Sequence, residues 1–284
     1  MTANIVDLQS YVGRQVENHD VVDAHRLRGM IATLDRDDPP PVAGTPLPPC
    51  WHWMFCQEAA PQSILGVDGH PDKGEFLPPI ALPRRMWAGS RITFFDPPVV
   101  GDVVTRRSTI LSVTPKSGKS GELVFVVVRH ETCVGDRVAV EEEQDLVYRE
   151  APRPDAPAPS PKPAPNAAPW SRSISPDPVL LFRYSALTFN GHRIHYDQPY
   201  CVNEEGYPGL VVHGPLIATL MVDLCRRQRP DARISEFSFR AMSPLFDTQS
   251  FAVAGEPDAD GPAVKVWAAD ASGGLASQGI VTFA

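Results

Sequence analysis

The sequence is poor in the features that mark several large protein classes. Five cysteines, Cys50, Cys56, Cys133, Cys201 and Cys225, lie scattered through 284 residues with no C-x-x-C pair. An odd, unspaced set supports neither a disulfide framework nor a zinc ribbon, so reduced thiols acting as small core hydrophobes are expected. Basic residues are outnumbered, 26 Lys+Arg against 34 Asp+Glu, for a net charge of −8. Phosphate neutralisation needs the opposite balance, so no nucleic-acid partner is expected. No stretch approaches the ~18 apolar residues of a membrane helix. The first residues, MTANIVDLQSYVGRQVENHD, carry no basic stretch leading into an apolar one. A cytoplasmic protein without membrane contact is therefore expected. Glycine-rich phosphate loops and the G-x-S-x-G nucleophile elbow are missing too.

What is present suffices for a folded protein. Hydrophobic residues make up 43% of the chain, enough for a core, and at ~150 residues per domain the length suggests two units. The 31 prolines are unevenly placed: between Ala151 and Pro169, eight of nineteen residues are Pro and six are Ala. Such a segment neither pairs as a strand nor continues a helix, and reads as an extended, solvated spacer. It separates an N-terminal unit, 1–150, from a C-terminal unit, 171–284, with 151–170 as the linker.

Both units read as a helical region followed by strands. In the first, Ile5, Leu8, Tyr11 and Val12 have helical spacing, and helical potential runs on through Leu34. A Pro-rich loop and the aromatic run Trp51–Phe55, expected to be buried, precede strand patterns at 85–95, 103–113, 123–134 and 138–148. In the second, Pro215 suits a first helical turn, and Leu216, Ile217, Leu220, Met221 and Leu224 form one stripe. Arg226, Arg227 and Arg229 complement the helix C-terminus before Pro230. Strand patterns follow at 233–241, 249–255, 263–269 and 279–283. Phe94 to Asp102 and Phe239 to Asp247 echo each other, each with Phe eight residues before Asp and a Pro between. Together with the shared order of elements, this favours a duplicated α+β fold.

The densest polar cluster is Tyr184 to Asp197, YSALTFNGHRIHYD, with His192 and His195 three residues apart. A third histidine, His213, stands just before the predicted helix in GLVVHGPL. So many hydrogen-bonding side chains need partners, which are each other, water or a ligand. His192, His195, Asp197 and His213 are metal-ligand types, but His-x-x-His spacing alone is a weak signal. His213 reads as a cap or packed ring.

This cluster resembles the signature of the MaoC-like (R)-specific enoyl-CoA hydratases, and most of all the branch of type 2 hydroxyacyl-thioester dehydratases and mesaconyl-C4-CoA or itaconyl-CoA hydratases. The family's Asp, its His five residues on, and its His-Gly at the start of the central helix fall on Asn190, His195 and His213-Gly214. The Phe94–Asp102 strand and turn and the Arg84-Arg85-Met86-Trp87-Ala88-Gly89 stretch are similar to the family's N-terminal half. The resemblance implies a double hotdog, two units that each have a long central helix wrapped by an antiparallel sheet, with catalytic residues only in the second. It also implies an acyl-CoA substrate, most specifically a C5 dicarboxylyl-CoA, and no cofactor or metal. Monomer and homodimer are both compatible with it. Asn190 in place of Asp removes a carboxylate from the expected dyad.

Hydrating a double bond conjugated to a thioester requires a base for water, a proton for the α-carbon and donors for the thioester oxygen. His195 can perform both proton tasks. The Asn190 amide can hold the water or orient the ring, and the Gly214 N–H at a helix N-terminus can serve as oxyanion donor. His192, Arg193, Tyr184, Arg183 and Arg240 are candidate substrate-binding residues, since arginine forks suit carboxylates and phosphates. Arg84 and Arg85 are further candidates. A carrier-protein dehydratase, a hotdog thioesterase and a non-catalytic acyl-CoA binder remain open alternatives.

Overall fold

A computed structural model describes residues 8–70, 76–118, 121–150 and 160–284. Ten strands form one continuous antiparallel sheet in the order β1-β3-β4-β5-β2-β7-β10-β9-β8-β6. They are β1 (Gln15–Val21), β2 (Arg84–Phe94), β3 (Val103–Gly118), β4 (Gly121–Val134), β5 (Arg137–Arg149), β6 (Trp170–Ile174), β7 (Ile234–Ala241), β8 (Phe251–Pro257), β9 (Ala263–Asp270) and β10 (Leu275–Phe283). The order is symmetric about its centre: β2, β5, β4, β3, β1 run outward on one side, and β7, β10, β9, β8, β6 on the other. Each half also places its helices between its first and second strands in sequence. This is the duplicated α+β arrangement the sequence pointed to. The Phe-to-Asp echo falls on equivalent turns, which form the bridges Pro46–Val99 and Val211–Phe246, displaced by two residues from the sequence match.

The helices that lie wholly within the described residues are α1 (Ala24–Thr33), α2 (Pro178–Leu187), α3 (Gln198–Asn203) and α4 (Gly214–Gln228). In α4 every residue from Leu216 to Cys225 is buried, so this helix is enclosed on all sides rather than amphipathic. Among the described residues the first half has no equally long helix. Its aromatic run forms a single 3₁₀ turn, Trp51–Met54, entered from a left-handed Cys50 after Pro46, Pro48 and Pro49. Prolines at that spacing leave no room for an earlier helical start. Trp51, Met54 and Phe55 are nevertheless buried, as expected, in one core with Leu216, Met221 and Phe237. All five cysteines are buried free thiols.

Helical continuity through Leu34 is corrected. Residues 1–7 lie outside the described set, and Gln15–Val21 pairs with β3 instead. Helix α1 starts only after Asp23, whose carboxylate accepts from the Arg26 N–H at 2.9 Å. Nor is the Pro/Ala segment solvated along its whole length. Residues 151–159 lie outside the described set, but Lys162 to Ala164 hydrogen-bond to the β9–β10 turn, and Ala164 and Ala168 pack beside Trp267. Among the described residues no helix is long and apolar enough to cross a membrane.

Two features join the halves. Asp223 of α4, 1% exposed, binds Arg36 from the loop after α1 at 2.5 Å, Arg227 at 2.7 Å and Arg172 of β6 at 3.0 Å. The second feature is the β2–β7 pairing, Gly89–Arg240 through Thr93–Glu236. At its edge the backbones approach so closely that a Cβ on Gly89 would stand 2.2 Å from the Phe239 carbonyl oxygen. Gly89→Ala must therefore push backbone, which typically costs about 1–3 kcal/mol. Urea unfolding should show that loss; a variant as stable as the parent would mean the seam can widen without cost.

Candidate active site

Helix α2 begins at Asp177, whose carboxylate accepts from the Leu180 N–H at 2.8 Å. It ends where Thr188 Oγ1 donates back to the Tyr184 carbonyl at 2.8 Å. Phe189 then turns the chain through a left-handed conformation, φ 49°, and the Asn190 N–H reaches back to the Ser185 carbonyl. Asn190 Oδ1 accepts from the His192 N–H at 3.0 Å. That turn feeds the 3₁₀ helix Arg193–His195, which presents His195 on the cavity wall.

His195 is 7% exposed. Its Nδ1 lies 2.7 Å from the Val211 carbonyl, which can only accept, so Nδ1 carries the proton and Nε2 the lone pair. Burial holds its pKa down at about 4, so the ring is neutral at physiological pH. His213, fully buried, stacks on it with centroids 3.7 Å apart, and its Nε2 is bonded to Ser185 Oγ at 2.8 Å. Burial keeps His213 neutral as well. It is thus a packed ring, as anticipated, and the packing is against His195 itself.

Gly214 opens α4 directly after His213. A Cβ built on Gly214 meets nothing within 4 Å, so the helix N-terminus faces open cavity. First-turn N–H groups lack intrahelical partners and carry the positive end of the helix dipole. Asn190, His195 and Gly214 all line the one cavity. Asn190 makes no described bond to the His195 ring; its carbonyl oxygen is committed to the turn, which leaves its NH₂ as the group that can meet a ligand.

The proposed binding residues separate into two groups. His192 belongs to the site: its ring is edge-on to His195 at 5.5 Å, and burial lowers its pKa to about 3. Tyr184 is fully buried 5.1 Å from the His213 ring and backs the site rather than gripping a ligand. Burial raises its pKa. Arg193 is turned away, paired with Asp197 at 2.8 Å and stacked over Tyr200. Arg183 is exposed and reaches the Ala32 carbonyl at 3.4 Å. Arg240 lies exposed on β7, alternating with buried Phe237 and Phe239, hence on the other face of the sheet. Arg84 is held by Glu205 at 3.2 Å and Tyr207 at 3.0 Å. Arg84 and Arg85 both line the cavity, and the charge of Arg85 helps keep His192 neutral.

The first half contributes more than the sequence suggested. Asp68 and His70 stand beside His192, with the two imidazole centroids 4.3 Å apart. Deeper in, Arg106, Ser108, His130 and Gln144 give the cavity a polar wall on β3, β4 and β5. Behind them Glu142, 2% exposed, accepts from Trp53 Nε1 at 2.9 Å and Ser90 Oγ at 2.5 Å. Burial pushes the Glu142 carboxyl up, but these bonds and His52 outweigh it and hold it ionised. The metal-ligand set His192, His195, Asp197 and His213 does not assemble: His195 and His213 spend a nitrogen each on Val211 and Ser185, and Asp197 caps α3 and binds Arg193.

Comparison with known proteins agrees with this geometry. Residues 50–247 match the family model described as hydroxyacyl-thioester dehydratase type 2. The chain is 47% identical over 257 residues to mesaconyl-C(4)-CoA hydratase of Chloroflexus aurantiacus, covering 89% of this chain and 90% of that protein. A MaoC-like dehydratase from Phytophthora capsici superposes with a TM-score of 0.69 at 14% identity, covering 99% and 98% of the two chains. A Mycobacterium tuberculosis protein described as a double hotdog gives 0.62 at 14% identity, covering 96% of each chain. The fold is the double hotdog, and the chain belongs to the hydroxyacyl-thioester dehydratase type 2 family.

Proposed function

We propose that the protein adds water reversibly to a 2-enoyl-CoA thioester whose acyl group is a C5 dicarboxylate, best represented by mesaconyl-C4-CoA and its hydration product citramalyl-CoA. The observation that carries the reading is a neutral, tautomer-locked His195 beside the open N-terminus of α4. The extensive identity to a mesaconyl-C(4)-CoA hydratase supports the choice of acyl group. In the hydration direction His195 Nε2 takes a proton from water as the oxygen bonds to the β-carbon. The electron pair of the double bond moves toward the thioester, and the oxygen that gains charge is met by the Gly214 N–H. The imidazolium then returns its proton to the α-carbon, leaving His195 neutral. The Val211 carbonyl holds the ring throughout, and the Asn190 NH₂ positions the water. A base that must be unprotonated benefits from burial, since desolvation disfavours the charged form.

In mesaconyl-C4-CoA the free carboxylate sits on the carbon that receives the hydroxyl, so its partner must lie close to the water-activating histidine. We assign that role to Arg85, which lines the cavity and whose charge acts on His192, the neighbour of His195; Arg84 lines the cavity too but is paired with Glu205. The polar wall of Arg106, Ser108, His130 and Gln144 also suits a charged acyl end better than an alkyl chain.

Four outcomes follow. Mass spectrometry should show gain of one water on mesaconyl-C4-CoA by the wild type, with His195→Ala slower by about 10²–10⁴-fold; release of free CoA instead would make the protein a thioesterase. Arg85→Gln should raise KM for mesaconyl-C4-CoA on the order of 10- to 100-fold, the worth of a charged hydrogen bond, and leave KM for crotonyl-CoA unchanged. Equal effects on both would place Arg85 at the CoA end. Calorimetry should find one thioester site per chain.

The fourth outcome concerns pH. His195 titrates at about 4, so the acid limb of kcat/KM should lie near pH 4 instead of the ~6.5 of a free histidine. Stability has the same sign. His192, His195, His130 and His213 stay neutral in the fold while an unfolded histidine takes up a proton below ~6.5. Stability should be constant above that pH and fall continuously as pH drops toward 4; thermal melts across pH 8 to 4.5 that stay level would contradict the buried, neutral cluster.

A further inference from the structure

We propose that Asp68, His70 and His192 form a binding site for a single divalent cation of the zinc class, built from both halves of the fold. One ligand atom from each of the three lies within 4.8 Å of the others. Asp68 Oδ2 and His70 Nδ1 are already 3.2 Å apart, close to the ~3.4 Å that separates neighbouring ligands around a tetrahedral ion with ~2.0–2.1 Å bonds. The third donor lies within 4.8 Å, and the Asp68 and His70 side chains, 42% and 32% exposed, have room to rotate toward it.

The backbone is fixed in advance. Gly69 has φ +87° and lies against Gly191 so tightly that a Cβ would stand 2.1 Å from its carbonyl oxygen. The Arg193 N–H donates to the Asp68 carbonyl at 2.9 Å, and Arg193 Nη1 to the Val67 carbonyl at 2.9 Å. Arg193, diverted from the substrate, therefore clamps the 67–70 loop onto the 191–193 turn. A loop anchored at both backbone and side chain holds ligands without the ordering cost that weakens sites on free loops.

The donors are also chemically ready. Neither ring nitrogen of His192 has a hydrogen-bond partner among the described residues, whereas His195 and His213 each commit one nitrogen, to the Val211 carbonyl and to Ser185 Oγ. An ordinary Asp68–His70 ion pair accounts for two of the three groups but leaves an imidazole facing an imidazole. A cation between them uses all three. Two imidazoles and a carboxylate suit borderline divalent ions, with remaining positions left to water or a ligand, and all three residues border the cavity. The site is separate from the proton transfers assigned to His195 and stands whether or not the acyl group is identified correctly.

Calorimetry with Zn²⁺ and visible spectroscopy with Co²⁺, on the metal-free full chain, test this. Wild type should bind one ion per chain, and bound Co²⁺ should show the intense bands of low coordination. Asp68→Asn and His70→Ala should each weaken binding by at least the ~10–100-fold that even outer-shell changes cost, while circular-dichroism melts stay near wild type. Asp68→Asn keeps the side-chain shape, so it remains informative if His70→Ala unfolds. Absence of binding by wild type, or equal binding by wild type and both variants, overturns the site.

Discussion

Pairing between β2 and β7 is the constraint on which the rest of the molecule depends. Two five-stranded sheets could pack in many ways, but backbone hydrogen bonds from Gly89 to Thr93 permit one register, and a slip of one residue would reverse every side chain between core and solvent. Once that register is fixed, the first half's β2 stands beside the second half's β7, and Trp87 meets Phe239 at 5.4 Å. The loop carrying Asp68 and His70 then falls onto the turn carrying His192. The cavity is the space that this one pairing encloses.

Burial sets the chemistry of that space. Three neighbouring histidines would repel one another as cations; excluded from water, they remain neutral and can stack, as His195 and His213 do. Neutrality also makes an asparagine at position 190 intelligible. A carboxylate there would favour the imidazolium form of a nearby histidine, whereas an amide leaves desolvation in control. The buried carboxylate of this region, Glu142, is instead kept on the far side, enclosed by Trp53, Ser90 and His52.

Much of this was legible in the residues, for identifiable reasons. Strands β2 to β5 and β7 to β10 declare themselves because one face is buried and alternation survives in the sequence. Helix α4 declares itself through its apolar stripe and terminal arginines. Asn190, His195 and Gly214 were legible as a spaced motif. Strands β1 and β6 were not, because edge strands with exposed side chains carry no apolar period. The pairing of Arg193 was not legible, because a motif position says nothing about direction, and Asp197 four residues on takes its charge. Asp68 and His70 left no local signal at all: they reach the site through the fit of Gly69 to Gly191, a tertiary contact between residues 122 positions apart.

The two halves differ in a way that suits the proposed reaction. In the proposed reaction a long helix with an open N-terminus is needed once, to meet the charge that would develop on a thioester oxygen. A second helix in the same position of the first half would fill the volume into which an acyl group must extend. There the chain instead makes one 3₁₀ turn at Trp51–Met54, and the sheet behind it presents Arg106, Ser108, His130 and Gln144 to the cavity. Ser108, His130 and Gln144 satisfy one another, with His130 Nδ1 2.7 Å from Ser108 Oγ and Nε2 3.4 Å from Gln144 Oε1, while the buried Nε of Arg106 has no partner among the described residues and is the group of this wall that a polar ligand would satisfy. On the proposed reading, one half supplies the helix dipole and the base and the other supplies shape and polarity, so that duplication of the fold need not duplicate the site.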